Sequence, residues 1–176
     1  MNCEKYADEE FRFVHPSEEY ADEIYRYRQE FLEAGDHMDG CGPLRKYGDP
    51  KEYIAVCRQR SGADSDESAE GRAEQFLLVR KADNRLIGMA QYRFGADPRL
   101  RIGYSVRPAE RGKGYAKAAL RSLLSWLKEQ GLTCTQVSCE PSNEASKQVI
   151  LGCGGKLKAE CEYKGIHLLV FEIWMR

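Results

Sequence analysis

Hydrophobic and polar positions change period several times along the chain, and each change marks an element. Phe11, Phe13 and His15 alternate with Arg12 and Val14, the two-residue period of a short strand. After Pro16 the period lengthens: Tyr20, Ile24, Tyr27 and Phe31 recur at helical spacing up to Gly35. Ser17 is the expected N-cap, with Glu18 and Glu19 favourable in the first turn. A connection containing Gly40, Cys41, Gly42 and Pro43 leads to a second short helix over 49–60. Two strands, 75–81 and 85–94, are joined by a turn at Asp83-Asn84. In the strand 101–107, Ile102, Tyr104 and Val106 point one way, and Pro108 ends it. A helix then carries Ala116, Ala119, Leu120, Leu123, Leu124 and Leu127 on one stripe and stops at Gly131. A strand over 133–139, a helix over about 142–151 capped by Ser142 or Asn143, and a hairpin of 156–163 with 166–174 turned at Lys164-Gly165 complete the order. The pattern predicts β-α-α-β-β-β-α-β-α-β-β, an α+β domain with helices on a mixed sheet.

Length and composition restrict the class. At 176 residues and 42% hydrophobic content the chain is the size of one domain, 1–176, with a real core. Residues 61–74 hold five acids and one Arg with little to bury, and are expected to be an acidic surface loop. The net charge of −1 argues against a generic nucleic-acid-binding domain. It hides a division, however: residues 1–98 carry 14 Lys and Arg against 21 Asp and Glu, and residues 99–176 carry 13 against 7. Seven basic residues and one acid, Glu110, fall between Arg99 and Arg121. The polar, acidic start has no apolar signal-peptide core, and no apolar run approaches the ~20 residues needed to span a bilayer. The expectation is a soluble, cytoplasmic protein without a membrane partner. The seven cysteines form no Cys-x-x-Cys pair and the three histidines are far apart, so reduced, mostly buried thiols and no metal are expected.

The chemistry is concentrated in one segment, IGYSVRPAERGKGYAKAALRSLL, which reads strand, Gly-rich loop, helix. Gly112 and Gly114 let a ligand approach the backbone where the helix begins. Unpaired N–H groups and the helix dipole make that terminus a phosphate or pyrophosphate site. Arg107, Arg111, Lys113, Lys117 and Arg121 surround it with cations. Lys117 stands where a dinucleotide fingerprint needs its third small residue, and Walker A spacing is absent.

Here the chain resembles the GNAT superfamily of acetyl-CoA-dependent N-acetyltransferases. Their Q/R-x-x-G-x-G/A signature is matched by Arg111-Gly112-Lys113-Gly114-Tyr115-Ala116. The likeness extends to Val106-Arg107-Pro108 before it and to Asn143 through Ser146, then Gly154-Gly155, after it. The resemblance covers roughly 75–176 well and implies a central, mostly antiparallel sheet of about seven strands splayed between the fourth and fifth. It further implies that Val106 and its neighbour Arg107 lie beside the pantetheine arm of acetyl-CoA. Arg111, Gly112, Lys113, Gly114, Tyr115 and Ala116 would hold the pyrophosphate, with Asn143 and Ser146 along the arm. An amine acceptor would attack the thioester directly in a ternary complex, the protein supplying proximity and electrostatics. No metal is implied, and a homodimer is compatible with the family.

Two family positions differ. Ile150 stands where many relatives have a proton-donating Tyr, and Ser138 where one subgroup has a basic Glu. Local reasoning offers Glu140, just past the splayed strand, as base, and Tyr104, on the same strand face as Val106, as a side chain able to reach the acceptor. Cys139 lacks a neighbouring His to make it a nucleophile. The competing expectations are a non-catalytic acyl-CoA-binding or regulatory module of the same fold, and transfer of a larger acyl group. The basic stretch 99–121 suits a polyanionic CoA, and the acidic half is compatible with a cationic amine.

Overall fold

A computed structural model describes residues 9–62 and 71–175 of the chain. Its elements are β1 (Phe11–Val14), α1 (Ala21–Ala34), α2 (Pro50–Arg60), β2 (Ala73–Arg80), β3 (Arg85–Arg93), β4 (Ile102–Val106), α3 (Tyr115–Glu129), β5 (Cys134–Cys139), α4 (Glu144–Gly152), β6 (Lys156–Tyr163) and β7 (Ile166–Trp174). Every strand and helix expected from the pattern forms. The strands make two antiparallel sheets, in the orders β1-β2-β3-β4 and β5-β7-β6, so the expected single sheet is divided between its fourth and fifth strands.

Two local expectations are corrected and one open alternative is resolved. The first helix opens with a 3-10 turn over Glu18–Tyr20, and Ser17 makes no side-chain cap there. The expected loop 61–74 is shorter, because β2 begins at Ala73; residues 63–70 lie outside the described residues. Glu74, counted among the loop acids, is buried and closes its base. The Ser61 hydroxyl donates to it at 2.6 Å and the Gly62 amide at 3.0 Å. Finally, α4 is capped by Asn143, whose Oδ1 accepts from the Ser146 amide at 3.0 Å.

The first sheet is covered on both faces, which is why β2 is buried from Ala73 to Val79. Phe76 and Leu78 face α3 and its stripe, Ala119, Leu120, Leu123 and Leu127. Leu77 and Val79 face α1 and α2, against Ile24, Tyr27, Phe31 and Ile54. Trp126 on α3 packs edge-on against Phe76 with ring centres 5.1 Å apart. Because β4 ends that sheet and pairs only with β3, its second edge is left open toward β5.

Candidate active site

Alternation along β4 decides what faces the opening. The Arg107 amide donates to the Ile87 carbonyl, and the Arg101 carbonyl accepts from Arg93, so the odd-numbered backbone groups point to β3. The N–H and C=O of Tyr104 and Val106 therefore point the other way, into the gap. A cleft of about 1080 Å³ fills this gap. It runs from the α3 N-terminus, past β4 and the start of α4, to the loop after α1.

At the α3 end, Gly112 and Gly114 have φ of +78° and +83°, and a Cβ on either would project into open space. Glycine is thus required by the left-handed backbone, not by crowding. Gly114 is the N-cap, and the amides of Gly112 to Ala116 have no backbone partner among the described residues. Gly112, Gly114, Tyr115 and Ala116 line the cleft. A ring of amides with room in front fits a pyrophosphate, so the residues present suit acetyl-CoA.

The basic side chains behave differently from the sequence expectation. Arg107 does not reach the cleft. It is 1% exposed, because position 107 alternates onto the α1 face of the sheet, where its Nη1 meets Glu23 at 2.9 Å. Its Nε lies 3.1 Å from Glu30, within ion-pair range though not aligned as a hydrogen bond. Burial would raise the Glu23 carboxyl, but the Leu86 amide and the Arg107 guanidinium outweigh it and hold the group below its ordinary value. Arg111 lines the cleft, with Nη1 2.7 Å from Asp36 and Nε donating to the Val106 carbonyl at 3.2 Å. Lys113 turns to Glu110 at 2.8 Å and borders a separate depression beside α3, together with Lys117 and Arg121. Most of the cationic cluster is therefore met by the protein's own carboxylates. The backbone remains as the anion cradle.

In the middle of the cleft, Tyr104 ties β4 to α4. Its hydroxyl lies 2.8 Å from the Ser146 hydroxyl on α4, and burial raises its pKa well above the ordinary phenol value. Glu140 is exposed and lines the same cleft just past β5. Asn143 and Ser146 line it as well, Asn143 with its side chain engaged as the α4 cap. Ser138 donates to the Arg99 carbonyl at 2.7 Å, tying β5 to the turn before β4. Ile150 is wholly buried against Gly155, whose missing side chain gives it room. Cys139 lines the cleft with its pKa raised by burial, which keeps the thiol protonated. His167 is instead on the exposed hairpin, 3.2 Å from Glu160.

Sequence reasoning missed the residues that fix the end of the cleft away from the glycine loop. Gly40 packs directly on β4: a Cβ there would meet the Gly103 carbonyl carbon at 2.4 Å. Buried Gln75 holds this loop by donating to the Gly40 carbonyl at 2.8 Å and also donates to the Ala90 carbonyl at 3.1 Å. The signals were a polar residue in each of two apolar strands, Gln75 and Gln91, and glycines at 40, 42 and 103. Their meaning depended on a pairing that only the fold creates.

Comparison with solved structures places the same architecture in several acetyltransferases. The ribosomal-protein-S5-alanine acetyltransferase of Vibrio fischeri matches with a TM-score of 0.70 at 20% identity, covering 95% of this chain and 94% of that one. The acetyl transferase of Salmonella typhimurium that modifies the N-terminal serine of ribosomal protein L7/L12 matches at 0.67 and 14%, covering 96% and 97%. The microcin C7 self-immunity acetyltransferase, solved with acetyl-CoA and AMP, matches at 0.67 and 16%, covering 96% and 94%. No curated protein matches the chain in sequence. Among the described residues no helix is long and apolar enough to cross a membrane, and no three side chains form a metal-binding group. The family model for the acetyltransferase (GNAT) family matches residues 4–154, and with the glycine cradle at the head of α3 and the open edge of β4 in place, this chain belongs to that family.

Proposed function

We propose that the protein transfers an acetyl group from acetyl-CoA to a primary amine within a ternary complex. The observation that carries this reading is the open edge of β4: the Val106 N–H points into the cleft in line with the amide cradle at Gly112 to Ala116. Acetyl-CoA supplies the activated acetyl thioester when bound. The Gly112–Ala116 amides would hold its diphosphate, and backbone groups of β4 around Val106 would pair with the arm. The Val106 N–H is placed to polarise a carbonyl oxygen where negative charge develops. Glu140 accepts the proton of the acceptor ammonium, directly or through water. Tyr104, kept neutral by burial, is the proton donor for the departing thiolate, a role left vacant by Ile150.

A second reading has its own support. Ile150 is sealed in the core and Ser138 is spent on a structural bond, so neither familiar acid nor base position is available. A module that binds acyl-CoA without turnover would look the same at the glycine loop. Isothermal titration with acetyl-CoA together with thiol release against a panel of amines separates the two. Binding with amine-dependent thiol release supports transfer, and binding with none for any amine favours the module.

A further inference from the structure

The end of the cleft away from the glycine loop is built from the loop after α1, the last turn of α2 and the end of β3. Two arginines meet there. Arg60 ends α2 and its Nε donates to the Gly71 carbonyl at 2.6 Å. Arg93 ends β3, and one of its terminal nitrogens donates to the Leu100 carbonyl. Both line the cleft. Among the described residues neither has a carboxylate partner, and the Arg93 Nε is buried without any hydrogen bond. Lys46 lines the same end. Of the two acids on the loop there, Asp36 is already held by Arg111, which leaves Asp39 facing the cations.

Two like charges partly buried on one wall, with no counter-ion among the described residues, are unfavourable unless something else supplies the negative charge. Burial and the nearby Arg60 both lower the Arg93 pKa, with Asp39 only partly opposing them. Guanidinium groups are also the side chains best shaped for a carboxylate or phosphate, through paired N–H donors. Asp39 lines the cleft together with Arg93 and Tyr104. An acceptor with an anionic end on the arginines would place its amine beside Asp39 and toward Tyr104 and Val106.

We propose that the acceptor is a small primary amine bearing an oxyanion, carboxylate or phosphate, which docks on Arg60 and Arg93 and sets the amine toward β4. This rests on the transfer reading above. It reverses the sense of the sequence-level charge division: the wall contributed by the acidic half presents cations to the cleft.

The test compares amines that differ only in charge: amino acids against their amides, and phosphoethanolamine against ethanolamine. Each is followed by thiol release with acetyl-CoA and, independently, by calorimetric binding to protein saturated with CoA. At least a tenfold preference for the charged member is expected in one of the two series, and that series identifies the oxyanion. The preference should fall at least tenfold in Arg60→Met and in Arg93→Met, with acetyl-CoA affinity within twofold of the parent. Arg60, at the end of a helix, is the safer variant for folding. Neutral amines bound and used as well as their charged partners, or a preference that survives both substitutions, would overturn the proposal. Charge-dependent binding with no thiol release from any amine would overturn transfer and leave the anion site standing.

Discussion

The two ends of the cleft handle positive charge in opposite ways. At the α3 end, where the sequence is richest in Arg and Lys, the cations are tied up: Arg107 with Glu23 and Glu30, Arg111 with Asp36, Lys113 with Glu110. What remains for an anion there is backbone. At the far end Arg60 and Arg93 have no carboxylate partner among the described residues, in a stretch where the sequence shows no cluster at all. The contrast teaches that a count of charges along a chain finds where charge is stored, whereas pairing decides where it is available.

The comparison breaks first at Arg107. If its role is structural, Arg107→Met leaves the partly exposed Glu23 and Glu30 without their shared partner and costs about 3 kcal/mol of stability, the low end for breaking a buried pair. Chemical denaturation reads that loss, and acetyl-CoA affinity of the folded protein should stay within about threefold. A large affinity loss with little destabilisation would return Arg107 to the cofactor site. Next come the residues between the two ends. Tyr104→Phe and Glu140→Gln should each lower kcat by about 10²-fold, the low end of the range for a proton-transfer group, with acetyl-CoA affinity nearly unchanged. Full turnover near neutral pH would remove the residue concerned from the chemistry.

Gly114→Ala sharpens the assignment of the cradle to backbone. A side chain at φ +83° costs about 1–2 kcal/mol, and disturbance of the amides should weaken acetyl-CoA binding about tenfold by calorimetry (about 1.4 kcal/mol). Lys113→Ala, which removes a charge already paired with Glu110, should weaken it less than threefold. The reverse ranking would make charge the binding element. The smallest effect is on pH. Glu23 and Glu110 are both held below the free-carboxyl value of 4.5. For Glu110 the causes are Lys113, then Arg80; for Glu23, the Leu86 amide and Arg107 overcome burial. Their stabilisation is complete above that value and is lost as pH falls through their lower folded values. Urea midpoints should be level from neutrality to about pH 5 and decline below 4.5, less steeply in Glu23→Gln.

Much of the fold was legible because its elements are locally determined. Alternation in Ile102, Tyr104 and Val106, the stripe on α3 and the Lys164-Gly165 turn each require only neighbours in sequence, and both turn residues have positive φ, 49° and 80°. The glycine cradle was legible for the same reason: a left-handed backbone before a helix depends on two residues. Arg107 was misread because its neighbours in sequence are a phosphate loop while its neighbours in space are on α1, 84 positions from Glu23. Arg60 and Arg93 gave no signal, since 33 positions separate them and only the sheet brings them to one wall. Tyr104 was selected for its strand face, but its bond to Ser146 depends on α4 crossing the gap.

The contact between Gly40 and Gly103 limits how this enzyme can diversify. The loop at the far end of the cleft rests backbone to backbone on the strand that carries Tyr104 and Val106, and a side chain on either glycine would collide with the other's main chain. If this end receives the acceptor as proposed, its selectivity cannot be transplanted by exchanging residues 36–43 alone. A grafted loop must bring a glycine to the crossing point and leave Gly103 beneath it, or it will displace the strand whose open edge lines the cleft.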